Sequence, residues 1–353
     1  MKYPYLLLSD THYHAWDAFS SLEHNGVNSR LSTLLHETER AFIALQAAGG
    51  HLVVHAGDMF HTRGSLTPSV LNPVRKTYSS WAAGSGTNLS IKVIAGNHDL
   101  ESNETHWLTA AVSAMQSDGI FFSESTSIVE DGVILVNWHP TVALLKTELE
   151  RLRDTIPSHH EYDLIIHAPV DDVLHGIPSH GLTAKYLAAL DFKRVFSGHY
   201  HNHKDFDNDV YSIGALTHQT WSDVGTKAGY CLVYRDKVEW FQSHAPQFVA
   251  LEPDALDVMD VEQLMNAVDG NYVRMTLTDP TAEREGEARK QLEGYGAKGV
   301  LIRSPKAVST MTGKREVTVS AVDTIYDTVN KYAMTKGGEE LAKLCDKIMR
   351  DIV

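Results

Sequence analysis

The sequence is poor in cysteine, has fewer basic than acidic residues, and contains no long hydrophobic run. Its two cysteines, Cys231 and Cys345, form neither a metal-binding spacing nor a disulfide framework, so we expect both to be small core residues. Because no apolar run reaches about 18 residues and no leader precedes the first strand, we expect a cytoplasmic protein with no membrane partner. The formal net charge of −14 argues against a general polyanion-binding surface, although bound divalent cations would add positive charge locally.

Histidine and apolar residues are abundant. The 353 residues include 20 histidines, and the 43% hydrophobic content supports a full core. A chain of this length has room for about two domains. Short apolar runs alternate with helical patterns, which predicts an α/β fold built on parallel strands. Later runs at residues 210–213, 229–234 and 238–241 are typical of an antiparallel meander.

The most informative segment is an apolar run at residues 91–95, typical of a buried parallel strand, which ends at Gly96. Three polar residues then leave the carboxyl edge of the strand, where active sites of open α/β sheets lie: Asn97, His98 and Asp99. An amide oxygen can bind a metal, an imidazole can transfer a proton, and a carboxylate can orient that imidazole. Alternatively, these residues form an Asn-containing turn that caps a helix.

Four other predicted strands also end in groups that can bind a metal. The residues are Asp10 and His12 after the first strand, Asp58 after the second, His167 after a later one, and His199 with His201 after the next. Another histidine, His61, follows Asp58 within reach of the same edge. One such strand end would be compatible with a structural role, but five at corresponding positions favour a shared metal site.

The donor types indicate which metals this site would hold. Carboxylate, amide and imidazole groups without thiolate suit manganese, iron or zinc. Seven ligands are too many for one tetrahedral ion, but they suit two ions about 3.5 to 4 Å apart that share one carboxylate. Histidines elsewhere are expected to have other roles. We expect His55 in the core and His24, His36 and His51 at the surface, whereas His139, His175, His180 and His218 stay undecided.

The order of these motifs resembles that of the calcineurin-like metallophosphoesterases. The motifs are Asp10-x-His12, Gly57-Asp58, GNHD at residues 96–99, His167, and GHYH at residues 198–201. Within that superfamily, GDMFHTR followed by PSVL, SHGL, and GHYH followed by YSIGAL resemble the SbcD branch. This branch comprises bacterial and phage relatives of the meiotic-recombination-eleven DNA repair nucleases.

The resemblance implies a four-layer α/β sandwich, with two mixed sheets flanked by helices, followed by a small α/β capping region. We therefore expect a catalytic domain at residues 1–245, a capping domain at residues 246–320 and C-terminal helices at residues 321–353. The apolar stripes of these helices fit packing within the chain. They also fit a grip on the coiled coil of an SbcC-type ATPase, which relatives of SbcD use. The resemblance further implies a possible homodimer.

The resemblance also implies roles for individual residues. One metal would be held by Asp10, His12, Asp58 and His201, and the other by Asp58, Asn97, His167 and His199. The proton donor to the leaving oxygen would be His98, oriented by Asp99. His61 matches a position that affects exonuclease action in the family. Both metals are expected to be Mn²⁺.

These features predict a two-metal DNA exonuclease or endonuclease of phage or bacterial type, which acts as a phosphodiesterase in DNA repair or recombination. Two alternatives remain open. A stand-alone metallophosphoesterase acting on nucleotides or other small esters would fit the net charge of −14 better. A non-catalytic scaffold would need no complete ligand set. A protein phosphatase is disfavoured because those enzymes usually carry GNHE where this chain has GNHD.

Overall fold

The computed structural model describes residues 3–82, 88–102, 110–117, 119–122, 127–130, 132–304 and 325–352. The chain forms two compact units, Met1–Arg303 and Ser304–Val353. Residues 305–320 of the expected capping domain lie outside the described residues, as do residues 321–324 and 353 of the expected C-terminal helices. The division into three domains stays a prediction.

Strands and helices alternate through the first unit. The strands are β1 Tyr5–Leu8, β2 Leu52–His55, β3 Ser90–Val93, β4 Ile120–Phe122, β5 Ser127–Glu130, β6 Val133–Val136, β7 Asp163–His167, β8 Arg194–Gly198, β9 Lys204–Asp205, β10 Val210–Ser212, β11 Gly229–Val233, β12 Val238–Gln242, β13 Phe248–Ala250, β14 Tyr272–Thr276 and β15 Gly299–Arg303. The helices are α1 Ser29–Ala47, α2 Pro68–Trp81, α3 Val142–Thr155, α4 Ala184–Ala188, α5 Ala255–Val258, α6 Val261–Val268 and α7 Ala282–Gly294. Short 3₁₀ helices cover Ala111–Met115, His159–Glu161 and Trp221–Asp223.

Two mixed sheets form the centre of this unit. The first has the strand order β12-β11-β1-β2-β3-β4. Strands β1 to β4 are parallel to one another, and β11 is antiparallel to both of its neighbours, β1 and β12. The second has the order β5-β6-β7-β8-β10-β9, in which β6, β7, β8 and β10 are parallel. Helices pack on the outer faces, so the predicted α/β architecture of two mixed sheets flanked by helices is confirmed.

Apolar side chains fill the space on both faces of each sheet. Between the sheets lie Tyr5, Leu7, Val54, Leu135, Ile165 and Phe196. On the outer face of the first sheet, α1 contributes Leu31, Phe42 and Leu45. On the outer face of the second sheet, α3 contributes Leu145, Leu149 and Leu152. Strands covered on both faces have continuous rather than alternating apolar sequences, which explains why short apolar runs predicted the central strands.

Helix α1 begins and ends at clear sequence signals. The side-chain oxygen of Asn28 accepts hydrogen bonds from the backbone N–H groups of Arg30 and Leu31, which have no carbonyl partner within the helix. At the other end, Gly49 has a φ of 78°, a conformation that glycine adopts without steric conflict. The apolar spacing between these two signals directs one face of α1 onto the first sheet.

The predicted antiparallel meander is confirmed for β11 and β12, which pair antiparallel, and is wrong for β10. Strand β10 pairs in parallel with β8 in the second sheet, whereas β11 pairs with β1 in the first. The segment between β10 and β11 therefore crosses from one sheet to the other. The strand pattern alone could not reveal this crossing, because the choice of pairing partner depends on contacts distant in sequence.

A third sheet, β13-β14-β15, is parallel and packs against α5, α6 and α7. Arg30 joins it to the rest of the unit. The guanidinium carbon lies 5.1 Å from the ring centre of Trp16, 5.2 Å from that of Phe248 and 5.4 Å from that of Tyr272. The Nη2 atom of Arg30 also donates a hydrogen bond of 2.5 Å to the carbonyl of Gln219. Cation–π contacts thus link the third sheet to the loop before α1.

The second unit contains helix α8 Ile325–Ile352, which is interrupted at Gly338, where φ is 68°. Several large apolar side chains of α8 are exposed, among them Tyr332, Met334 and Leu344. None of the helices in the described parts of the chain is long and apolar enough to cross a membrane.

A buried ion pair joins the beginnings of β7 and β8. The Arg194 guanidinium donates two hydrogen bonds, both 2.8 Å, to the two carboxylate oxygens of Asp163. The Tyr5 hydroxyl donates a third, of 2.7 Å. Because both charged groups are buried, removal of one partner leaves the other charge in an apolar environment.

Arg194→Met should therefore lower the free energy of unfolding by about 3–5 kcal/mol. Arg153→Met is the matched control, since Arg153 pairs with Asp154 on α3 and both side chains are exposed, where an ion pair contributes little to stability. Urea denaturation followed by circular dichroism measures both values. Equal losses in the two variants would contradict the structural role of the buried pair.

Candidate dinuclear metal centre

The loops that follow β1, β2, β3 and β8 are hydrogen-bonded to one another. The Asp10 N–H donates to the carbonyl of Gly57 at 3.0 Å. The His199 N–H donates to the Asp10 carboxylate at 3.0 Å, and the His98 N–H donates to Asp58 Oδ1 at 2.8 Å. The strand ends of both sheets therefore come together in one place.

This close approach requires unusual backbone conformations. Asp10, Asp58 and His199 have φ values of 49°, 52° and 104°, in the left-handed region that residues other than glycine seldom adopt. Each such residue costs about 1–3 kcal/mol, and residues of this kind concentrate at functional sites. Gly96 lies so close to the Asp58 carboxylate that a Cβ atom there would overlap Oδ1. The glycine of GNHD thus makes room for this carboxylate.

The Asp58 carboxylate lies at the centre of the cluster. Its Oδ2 atom is 3.5 Å from Nε2 of His12 and 3.4 Å from Nε2 of His167. These histidines follow β1 of the first sheet and end β7 of the second. One carboxylate oxygen thus faces imidazoles from both sheets, and the bridging role that the resemblance implies for Asp58 stays a prediction.

The remaining predicted ligands fall into two groups around Asp58. One group contains Asp10, His12 and His201, and the other contains Asp58, His167 and His199. Within each group the candidate ligand atoms lie within 4.8 Å of one another. The structure thus brings together all the acidic and imidazole ligands expected from the sequence, and their assignment to individual metals stays a prediction.

Asn97 belongs to the second group. Its Oδ1 atom is 2.9 Å from Nδ1 of His199 and 3.3 Å from Nε2 of His167. An amide oxygen between two imidazole nitrogens can accept a hydrogen bond in the metal-free protein and can donate its lone pair to a cation. The predicted alternative of a purely helix-capping turn does not account for these contacts.

The donor set fits two divalent cations. Asp10 and Asp58 are almost completely buried, and in the described parts of the chain their ion-pair partners are histidines rather than lysine or arginine. Buried carboxylates are unfavourable without positive charge nearby. Oxygen and imidazole donors suit metals such as Mn²⁺, Fe²⁺ or Zn²⁺. The cluster therefore has the composition of a site for divalent cations.

Burial keeps several imidazoles in the form that binds metals. It lowers the pKa of His12 well below the ordinary value and lowers that of His199 to about 3, where the nearby His167 acts in the same direction. His167 differs. Burial opposes its protonation, but the charge and hydrogen bond of Asp58, together with the charge of Asp10 and the carbonyl of Ala56, raise the pKa of His167 to about 9. A cation that binds between Asp58 and His167 must displace this proton.

The sequence analysis missed one carboxylate of the site, that of Asp223. It is buried, and its Oδ1 atom lies 2.7 Å from Nδ1 of His201. Its Oδ2 atom accepts hydrogen bonds from the backbone N–H groups of Gln219 and Thr220. Nε2 of His201 is then left to face His12 Nε2, at 3.2 Å. Metal-binding histidines commonly donate a hydrogen bond from the N–H of their second ring nitrogen to a carboxylate in this way.

The backbone N–H of His98 contacts Asp58, but the imidazole is not held by Asp99, as the sequence had led us to expect. Its Nδ1 atom is 2.8 Å from the carbonyl of His61. Asp99, expected to orient the ring directly, instead accepts hydrogen bonds from the backbone N–H groups of Met59, Phe60 and Gly96. Asp99 is fully buried between these amides, so it joins the loops after β2 and β3. The catalytic roles of His98 and Asp99 stay predictions.

His61 forms one side of the site. Its ring stacks on that of His98, with centres 5.4 Å apart, and its Nδ1 atom is 3.4 Å from Nδ1 of His12. The rings of Trp16 and His14 continue outward from it, at 4.4 Å and 5.1 Å. Burial lowers the pKa of His61 to about 4, and the neighbouring His98 adds to this effect, so His61 is neutral at physiological pH.

Histidines away from the strand ends have other environments. His55 is buried and contacts Thr11, as expected for a core residue. His218 accepts a hydrogen bond from the backbone N–H of Phe248, which places it at the junction with the third sheet. Two others line a cavity next to the metal centre: His139 and His180. Of the rest, His24, His36 and His175 are exposed and His51 is partly buried.

The fold and the ligand set together define a metal-dependent phosphoester hydrolase. The model of the calcineurin-like phosphoesterase family matches residues 3–203, and the chain belongs to this family. No curated protein sequence matches the chain.

Several solved structures are similar at low sequence identity. A dimetal phosphatase from Danio rerio is 9% identical, with 68% of this chain and 98% of that chain covered and a TM-score of 0.42. Nuclease MPE from Pseudomonas putida is 14% identical, with coverages of 67% and 87% and a TM-score of 0.30. GAP50 of Plasmodium, the anchor in its inner membrane complex, is 13% identical, with coverages of 79% and 98% and a TM-score of 0.41. These likenesses are too distant to indicate a substrate.

Asp223→Asn should weaken the binding of one of two Mn²⁺ ions by about 10–100-fold. An amide cannot accept from His201 on one side and from backbone N–H groups on the other, so it would release one of these contacts. Isothermal titration calorimetry measures the two affinities, and Asp236→Asn, at an exposed position, is the control. Wild-type affinity at both sites in Asp223→Asn would contradict the orienting role of this carboxylate.

Proposed function

We propose that the protein is a Mn²⁺-dependent phosphodiesterase that cleaves DNA, as an exonuclease or endonuclease in repair or recombination. One observation carries this proposal: the buried Asp58 carboxylate faces His12 of one ligand group and His167 of the other, and it accepts a hydrogen bond from the backbone N–H of His98. Two bound cations would supply charge for a phosphate and activate a water for in-line attack. The residues of the chain then have to position the ester and supply a proton to the leaving oxygen.

His98 is suited to the proton transfer. Because Nδ1 contacts the carbonyl of His61, the Nε2 atom is the one that can carry a proton to the leaving oxygen. The ring lies 4.7 Å from that of His12, so it faces the group of ligands that contains Asp10 and His201. The fixed Nδ1 contact limits rotation of the imidazole and so keeps Nε2 available for proton transfer to the leaving oxygen.

Two features support DNA as the substrate. The motifs around Asp58 and His199 resemble those of the SbcD branch, whose members act on DNA. In addition, the rings of His61, Trp16 and His14 extend outward from the centre, and aromatic side chains of this kind stack with nucleic-acid bases. We expect this aromatic row to contact the nucleotides next to the scissile phosphate.

A phosphoesterase acting on small esters is the second candidate. The net charge of −14 favours it, because long-range electrostatics would oppose the approach of a polyanion. The two candidates differ in one simple respect. Excess unlabelled duplex DNA should inhibit a nuclease competitively and leave the hydrolysis of a small ester by a dedicated phosphoesterase unchanged.

His98→Ala should lower DNA cleavage by about 10²–10⁴-fold while the protein still binds two Mn²⁺ ions. Cleavage is measured on end-labelled linear duplexes and on circular single strands, and bound manganese by elemental mass spectrometry. His175→Ala is the control, since His175 is exposed.

Loss of metal from His98→Ala would contradict the role of this residue as proton donor. A wild-type protein that hydrolyses a small phosphate ester and leaves both DNA substrates intact would contradict the nuclease proposal.

We also propose that α8 binds an SbcC-type ATPase. The exposed apolar side chains of Tyr332, Met334 and Leu344 support this, because partner-binding helices present such residues. Affinity purification from the native host should recover an SMC-like ATPase, and removal of residues 337–353 should abolish its recovery. Leu344→Ala should weaken the interaction more than Lys343→Ala, its exposed neighbour. Recovery unaffected by the truncation would contradict this assignment.

A further inference from the structure

A cavity of about 370 Å³ opens next to the His199 side of the metal centre. Its walls come from the loop after β6, the first turn of α3, the loop after β7 and the segment before α4. The lining includes Trp138, Pro140, Val142, Leu145, Ala168 and His180. His199 itself forms part of the wall, so a group bonded to a phosphate at the metal centre would reach this cavity directly.

The lining of the cavity suits a neutral, planar group. The ring of Trp138 stacks on that of His199, with centres 5.3 Å apart and planes inclined by 24°. Leu145 and Ala168 are buried and give an apolar floor. The lining residues include no lysine, arginine, aspartate or glutamate, so neither a second phosphate nor a cation would find a charged partner there. The imidazoles of His139 and His180 supply polar groups at the edge of the cavity.

The rim of the cavity is held in place by a buried carboxylate. Asp171 accepts hydrogen bonds from the Ser179 hydroxyl at 2.6 Å, from the His180 N–H at 2.7 Å and from the Gly181 N–H at 3.1 Å. The backbone around His180 is therefore fixed beside the opening. A preformed cavity of this size falls in the range of small-molecule sites, which extends from about 300 to 1,000 Å³.

We propose that this cavity, the base pocket, receives the nucleobase of a nucleotide adjoining the scissile phosphate. The inference rests on the proposed function and gives it a specific substrate contact. A base that enters the pocket cannot remain stacked and paired in a duplex, so the nucleotide beside the cleaved bond must be unpaired. The pocket thus selects single-stranded segments and frayed ends as substrates.

Two chromogenic esters test the base pocket. One is the p-nitrophenyl ester of thymidine 5′-monophosphate, and the other is the same ester of 2-deoxyribose 5-phosphate, which lacks the base. With Mn²⁺, wild-type protein should hydrolyse the first with a kcat/KM about tenfold or more above that of the second, as expected for one stacked base. Equal values for the two esters would overturn the proposal.

Substitutions on α3 test whether the preference for the thymidine ester arises in this cavity. Val142→Phe fills the pocket and should reduce the ratio of the two kcat/KM values to about one, mainly through KM for the thymidine ester. Leu144→Phe is the matched control, because Leu144 lies on the same helix, is exposed and is outside the pocket lining. A wild-type ratio in Val142→Phe would overturn the assignment to this cavity.

Binding measurements separate failure of the pocket from failure of the proposed function. If neither ester is hydrolysed, calorimetric affinities for thymidine 5′-monophosphate and 2-deoxyribose 5-phosphate are compared in the presence of Mn²⁺. Tighter binding of the thymidine compound, lost in Val142→Phe, would support the pocket and contradict the phosphodiesterase. Equal affinities would overturn the base pocket.

Discussion

The buried carboxylate of Asp58 is the constraint on which the centre depends. It follows β2 of the first sheet, yet one of its oxygens faces His12 from the first sheet and His167 from the second. A carboxylate in this environment is unfavourable without positive charge nearby. The metal centre can therefore form only when both sheets are folded and their strand ends meet, which couples the architecture of the sandwich to its chemistry.

The loops around this carboxylate adopt backbone conformations that lower local stability but position the polar groups of the centre. Left-handed conformations at Asp10 and Asp58 are unfavourable for these residues, but they allow backbone N–H groups to reach buried carboxylates from neighbouring loops. Two aromatic walls flank the centre. His61 and Trp16 form one, and Trp138 forms the other beside His199. The proposed contacts with nucleobases rest on these two walls.

The sequence predicted the parts that depend on local patterns. The meeting of acidic and imidazole residues at strand ends could be predicted because a buried strand has a recognisable apolar run and the next polar residues must lie at its edge. The role of Asp223 could not be found in this way, because its contact with His201 depends on the crossing between β10 and β11. The carbonyl that holds His98 was missed for a related reason: backbone atoms of His61 leave no signal in the sequence.

The central claim is that one carboxylate bridges two cations. Electron paramagnetic resonance of the Mn²⁺-loaded protein tests it most directly, because two ions that share a bridging ligand are magnetically coupled. The account predicts the spectrum of a coupled pair in the wild type and the spectrum of isolated ions in Asp58→Asn. A spectrum of isolated Mn²⁺ in the fully loaded wild-type protein would contradict it.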